Sequence, residues 1–211
     1  MANDKLLEGN REFVENISDE LDDRLLKLTT DGQEPNTLFI GCCDSRVVPN
    51  IITNTYIGEL FVSRNIGNFV APFASSDEFH AGAAAIEYAV SALEVTNIIV
   101  CGHSYCGAIS SVYKVDKLDD LAFKNTKRWL SLGMKAKDIV QKTISADATT
   151  REKLEMTEKL STVLQLDNLM TYPKVKERVE KGDLELNAWY YDIETGIASH
   201  YDASVGEFIS E

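Results

Sequence analysis

Thr37-Leu38-Phe39-Ile40-Gly41-Cys42-Cys43-Asp44-Ser45-Arg46 runs from a short apolar segment straight into two thiols, a carboxylate and a guanidinium. Its first five residues, rich in branched and aromatic side chains, read as a buried strand. The arrangement recurs further along: Asn97-Ile98-Ile99-Val100-Cys101-Gly102 reads as another buried strand, and His103-Ser104-Tyr105-Cys106 follows it. In open α/β sheets, ligands bind in the crevice beyond the carboxyl ends of the strands. Two adjacent parallel strands would therefore bring Cys42, His103 and Cys106 to one place. Zinc favours thiolate and imidazole donors, and catalytic zinc sites use three protein ligands with a fourth position left open. Two Cys and one His meet that requirement. The plain alternative is that the cysteines are small buried hydrophobes.

The neighbourhood of Cys42 weighs against that alternative. Asp44 is placed to accept a hydrogen bond from water at the metal, the kind of outer group that tunes a zinc site. Arg46 can clamp Asp44 through a bidentate pair and so decide whether the carboxylate faces the water or swings onto the metal as a fourth ligand in a closed form.

Cys42-x-Asp44-x-Arg46 followed by His103-x-x-Cys106 resembles the two signatures of the β-class carbonic anhydrases. The likeness extends through Gly58-Glu59-Leu60-Phe61-Val62-Ser63-Arg64-Asn65-Ile66-Gly67-Asn68, Gly82-Ala83-Ala84-Ala85-Ile86-Glu87-Tyr88-Ala89-Val90, Cys101 to Ala108, and Ala188 to Gly196. It keeps family order from Leu6 to about Asp202. The resemblance implies reversible hydration of carbon dioxide to bicarbonate and a proton by attack of zinc-bound hydroxide, with one Zn2+ per subunit. It also implies catalytic roles for Asp44 and Arg46. Gln33, Phe61 and Tyr88 match the substrate pocket of plant-like members, with Gln33 reaching in from a partner subunit, and Gly107 would let substrate approach the metal closely. In members inhibited by bicarbonate, a second pocket uses a Trp, an Arg and a Tyr. Arg64 and Tyr191 match, but Phe39 stands in the Trp position, which favours a non-allosteric enzyme, as does Val47-Val48-Pro49.

Composition is consistent with this reading. The chain has 211 residues and no Pro/Gly/Ser-rich linker, so one domain is expected. Within it lie an N-terminal helical arm (1–34), a zinc-site α/β core (35–115) and C-terminal helices with late strands (116–211). Acidic residues outnumber basic ones by 34 to 21, a formal net charge of −13, which opposes nonspecific binding to nucleic acid and to anionic membranes. There is no basic, apolar leader at Met1 and no run long enough to span a membrane, so a soluble, cytoplasmic protein is expected. The four Cys cluster at two strand ends instead of forming a disulfide framework.

Periodicity organises the rest. Leu6–Val14 and Leu21–Leu28 have helical spacing; in the resembling family such an arm packs on a neighbouring subunit, so a homodimer or larger assembly, such as a tetramer, is implied. Strands at 37–41, 58–63 and 97–102 alternate with an Ala-rich helix from Phe79 to Leu93, which predicts a small, mainly parallel sheet flanked by helices. Residues 121–169 read as two or three helices, Tyr172-Pro173 begins another, and strands at 184–193 and 197–201 flank a turn at Glu194-Thr195-Gly196. His80 and His200 have no ligand spacing to the main set, and Cys43 and Cys101 read as packing residues. A zinc hydrolase of carbon disulfide or carbonyl sulfide would use the same ligands. A non-catalytic zinc or bicarbonate-binding homologue would not need the Asp44–Arg46 pair, and a thiol redox protein would need a Cys-x-x-Cys that is absent.

Overall fold

The computed structural model describes residues 2–73 and 80–210. Phe79, the expected start of the Ala-rich helix, lies outside them. The chain forms two compact units, Met1–Glu34 and Pro35–Glu211.

The first unit is a pair of helices, α1 (Ala2–Glu15) and α2 (Asp19–Asp31). Ser18 caps α2 by accepting from the Leu21 N–H at 3.2 Å, and Asp19, Glu20 and Asp22 put negative charge on its first turn, where the helix dipole favours it. Leu6, Leu7, Phe13 and Val14 of α1 and Leu26 of α2 are exposed, and α2 buries no residue.

The second unit is built on a six-stranded sheet of order β2-β1-β3-β4-β5-β6. Strands β1 (Thr37–Cys42), β2 (Leu60–Asn65), β3 (Asn97–His103) and β4 (Glu185–Tyr191) run parallel; β5 (Ala198–Asp202) and β6 (Glu207–Ile209) add an antiparallel end. The intervening helices are α3 (Pro49–Ile52), α4 (Ala81–Ser91), α5 (Gly107–Val112), α6 (Lys124–Leu130), α7 (Met134–Thr143), α8 (Thr150–Leu169) and α9 (Pro173–Lys181). The expected strands and longer helices are present; α3, α5 and β6 were not foreseen. The second strand begins at Leu60 and not at Gly58, because Gly58 sits at φ 89° and belongs to the preceding turn. Among the described residues no helix is long and apolar enough to cross a membrane.

Strand alternation sorts the core. Leu38, Ile40, Ile98 and Val100 pack on Ile86, Ala89, Val90, Leu169 and Val175 from the helices, whereas Phe39, Ile99 and Cys101 form a separate cluster with Ile52, Leu60, Trp189 and Tyr191 packed against it. The topology positions the site. Chain order places β2 on one side of β1 and β3 on the other, so the direction of winding reverses between β1 and β3. The crevice at such a reversal is where α/β sheets bind ligands. The register pairs Gly41 with Cys101, so the two strands finish side by side.

Candidate metal centre

Cys42 is the last residue of β1, His103 the last of β3, and Cys106 the N-cap of α5. One donor atom from each lies within 4.8 Å of the others, and the residues are 5%, 0% and 2% exposed. The His103 ring is oriented by its own loop: Nδ1 lies 2.9 Å from the Ser104 carbonyl, which can only accept, so Nδ1 carries the proton. That leaves Nε2 with a lone pair, buried and with no hydrogen-bond partner. A buried polar atom without a partner is costly, and this one shares its space with two sulfurs. The donor set fits zinc: two thiolates and an imidazole, with the other imidazole nitrogen tied down by a carbonyl.

Electrostatics match. The Cys106 thiol donates to Cys42 and, against the effect of burial, holds Cys42 down to about 4. The same bond, reinforced by burial, pushes Cys106 well above the usual thiol range. Burial pulls the His103 imidazole down, but the Cys42 sulfur overrides it and the net direction is upward. Metal binding requires both sulfurs as thiolates, so it must release the protons these groups carry.

Asp44 and Arg46 form the expected bidentate pair: Arg46 Nε donates to Oδ1 at 2.9 Å and Nη2 to Oδ2 at 2.7 Å, while the Arg46 backbone N–H donates to Oδ1 at 3.0 Å. The Arg46 side chain, opposed by partial burial, holds the Asp44 carboxyl well below the usual carboxylate range. The carboxylate is thus engaged by Arg46 and is not part of the three-residue donor cluster. Arg64 donates to the carbonyls of Cys42 at 2.9 Å and Asp44 at 2.7 Å, a clamp on the loop that sequence reasoning did not foresee. Phe39 is wholly buried.

The other predicted site residues lie outside the three-residue donor cluster. Phe61 and Tyr88 face each other with ring centroids 5.8 Å apart; Phe61 packs against the core and Tyr88 is exposed. Gly107 opens α5, where a Cβ would meet nothing within 4 Å, so no packing contact within the chain calls for glycine. Gln33 is exposed and belongs to the first unit, not to the set of side chains that the second unit assembles. His80 caps α4 by accepting from the Ala83 N–H at 3.1 Å, and His200 lies on β5. Cys101 is buried and pushed up to about 12, whereas Cys43 is exposed. Tyr105, between the two ligands of the second loop, was overlooked. Its φ of 58° is unusual for a residue with a side chain, its hydroxyl donates to Glu194 at 2.9 Å, and its carbonyl accepts from Arg46 at 3.2 Å.

A family model described as carbonic anhydrase matches residues 37–198. The chain belongs to the β-carbonic anhydrase family. A carbonic anhydrase of Helicobacter pylori is 38% identical over 210 residues, covering 96% of this chain and 95% of its own. The solved β-carbonic anhydrase CcaA superimposes with a TM-score of 0.93 at 36% identity over 100% of both chains. Tetrameric β-carbonic anhydrases of Sordaria macrospora give 0.82 at 26% identity over 99% of each chain. As a member of the family the chain is a zinc enzyme that hydrates carbon dioxide to bicarbonate, and Cys42, His103 and Cys106 form the cluster placed to hold the metal.

Proposed function

We propose that Cys42, His103 and Cys106 hold the zinc of a β-carbonic anhydrase in which Asp44, fixed by Arg46, orients water for attack on carbon dioxide. The observation that carries this reading is the unpartnered, buried His103 Nε2 beside two thiols, with an ionised carboxylate anchored two residues from one of them. When bound, zinc supplies the Lewis acidity that makes water a nucleophile near neutral pH. Arg46 keeps Asp44 turned toward itself and available as a hydrogen-bond acceptor. Because Asp44 is held below the usual carboxylate range, it is a poor store for a proton at neutral pH. Its task is orientation, and the proton leaves through solvent and buffer. Phe61 and Tyr88 offer apolar ring surface to a small apolar substrate, Gly107 leaves space beside Cys106, and Gln33 reaches in from a partner subunit.

The exposed apolar residues of α1 and α2, together with the tetrameric state of the Sordaria macrospora relatives, support a homo-oligomer built on arm exchange, with a tetramer as the assembly. A reducing, cytoplasmic setting suits four unpaired cysteines, two of them required as thiolates. Control by bicarbonate at Arg64 is not part of this reading. Its guanidinium is engaged by two backbone carbonyls, and the buried Phe39 replaces the tryptophan of that pocket.

Stopped-flow hydration of carbon dioxide by zinc-quantified protein across pH 6.5 to 9 tests the assignment. Rapid turnover that rises with pH and disappears with the metal in Cys42→Ser and Cys106→Ser is expected. Stoichiometric zinc without hydration would reject it, and turnover of carbon disulfide or carbonyl sulfide would then identify the substrate.

A further inference from the structure

Among the described residues, a buried and heavily bonded carboxylate comes from α8, which supplies no proposed metal ligand. Glu158 is 2% exposed, and both of its oxygens are engaged. Oε1 accepts the backbone N–H of Cys106 at 3.0 Å and Arg151 Nη1 at 3.2 Å; Oε2 accepts the Tyr190 hydroxyl at 2.9 Å and Arg151 Nη2. Arg151 also lies over the Tyr105 ring, 4.4 Å from its centroid. One side chain thus grips the second ligand loop at the Cys106 amide, and its ion-pair partner covers the intervening Tyr105.

Packing α8 on the sheet does not require this chemistry. Replacing a buried ion pair with apolar side chains of similar volume is often neutral or stabilising. Leucine at 158 would fill space, yet it would leave the Cys106 N–H buried and unpaired. The counter-charge matters too. A lone carboxylate beside two thiolates would repel them, whereas the Arg151 pair adds no net charge.

We propose that Glu158 is a positioning residue for the zinc centre: by accepting the Cys106 N–H it fixes the backbone that carries the Cys106 sulfur, with Arg151 as its neutralising partner. The inference rests on the assignment of Cys106 as a zinc ligand. Close approach of α8 to the end of β3 supports it, since a Cβ on Gly102 would collide with Thr162 Oγ1, one turn beyond Glu158. The helix is therefore seated directly on the strand that ends in His103.

The test compares Glu158→Leu, Glu158→Gln, Leu169→Ala and Cys106→Ser, using the zinc dissociation constant from chelator competition and the absorption spectrum of the cobalt-substituted protein. Outer partners of metal ligands are typically worth about 10- to 100-fold in affinity. Glu158→Leu is expected to weaken zinc binding by about that factor and to shift the cobalt bands. Glu158→Gln retains an acceptor for the amide and should weaken binding by a smaller factor, about several-fold. Leu169→Ala, on the same helix but in the apolar core, should lower the melting temperature and leave both readouts unchanged. A folded Glu158→Leu with wild-type affinity and spectrum overturns the proposal, as does equal weakening by Leu169→Ala. If Glu158→Leu does not fold, wild-type values for Glu158→Gln overturn it. Cys106→Ser separates the two levels: retained zinc there rejects the ligand assignment itself, whereas zinc lost there but unaffected at 158 rejects only the role of Glu158.

Discussion

The proposed water-orienting pair, Asp44 and Arg46, is joined by three hydrogen bonds of 2.7 to 3.0 Å, two from the guanidinium and one from the Arg46 backbone N–H. Asp44→Asn keeps the shape but puts an amide where an ionised acceptor stood, and Arg46 loses its partner. Zinc content should remain stoichiometric while turnover falls by about 10²-fold or more, the scale of a lost preorganised hydrogen-bonding group. Metal analysis and stopped-flow hydration on the same sample check this; full activity would reject the orienting role. The pair was legible because its members lie two residues apart in the segment that carries Cys42. Arg64 was legible only through its match to the arginine of a bicarbonate pocket, not as a clamp on the Cys42 loop. Its donation to the Cys42 and Asp44 carbonyls depends on the pairing of β1 with β2, which no local spacing announces.

At the scale of elements, the junction of α8 with β3 and the end of α9 make separate predictions. Gly102→Ala drives a methyl group into Thr162 Oγ1, at a cost of about 1–3 kcal/mol, the usual range for an overpacked site. Thr162→Ala in the same chain removes the obstructing oxygen. Urea denaturation of both single variants and the double variant should show the two losses to be less than additive; strict additivity would mean that the strand shifts away freely. Helix α9 ends in a clamp: Arg178 donates to Asp183 Oδ1 at 2.8 Å and to the Val90 carbonyl at 3.0 Å, and Lys181 lies 2.7 Å from Asp183 Oδ2. Lys181 and then Arg178 hold the Asp183 carboxyl below its usual range. A lowered folded value means stability that is present above the unfolded value of about 3.9 and is lost as pH falls through the folded one. Asp183→Asn should therefore be less stable than the native chain at neutral pH, and the gap should close below about pH 4; a gap independent of pH would reject the linkage. Long elements were readable from their apolar period. Helices α3 and α5 and strand β6, of four, six and three residues, are too short for a period to show. Helix α8 was found, but its buried face was not, since before Leu169 that face is made of Thr157, Glu158, Ser161, Thr162 and Gln165.

The whole molecule couples metal, fold and assembly. Zinc bound only by the folded chain should stabilise it by about 2.7 kcal/mol when free zinc is about 100 times its dissociation constant. Chelation should lower the melting temperature correspondingly, and readdition should restore it. An unchanged melting temperature would mean that the metal contributes nothing to the fold. Removal of residues 1–34 deletes the unit carrying Leu6, Leu7, Phe13, Val14 and Leu26, all exposed in the single chain. Light scattering is expected to report a smaller assembly than the full chain forms; an unchanged mass would reject arm exchange.

Local order along the chain was enough to determine the strands, the three donor residues at or just beyond their ends and the Asp44–Arg46 pair. Each is a short-range pattern of side-chain type, and a strand end lies within a few residues of what it presents. The tertiary structure alone decided the tautomer of His103, the clamp by Arg64 and the seat of Glu158 under Cys106. Those depend on which strands become neighbours and how closely a helix approaches them, and burial makes such contacts strong because water can no longer substitute for the missing partner.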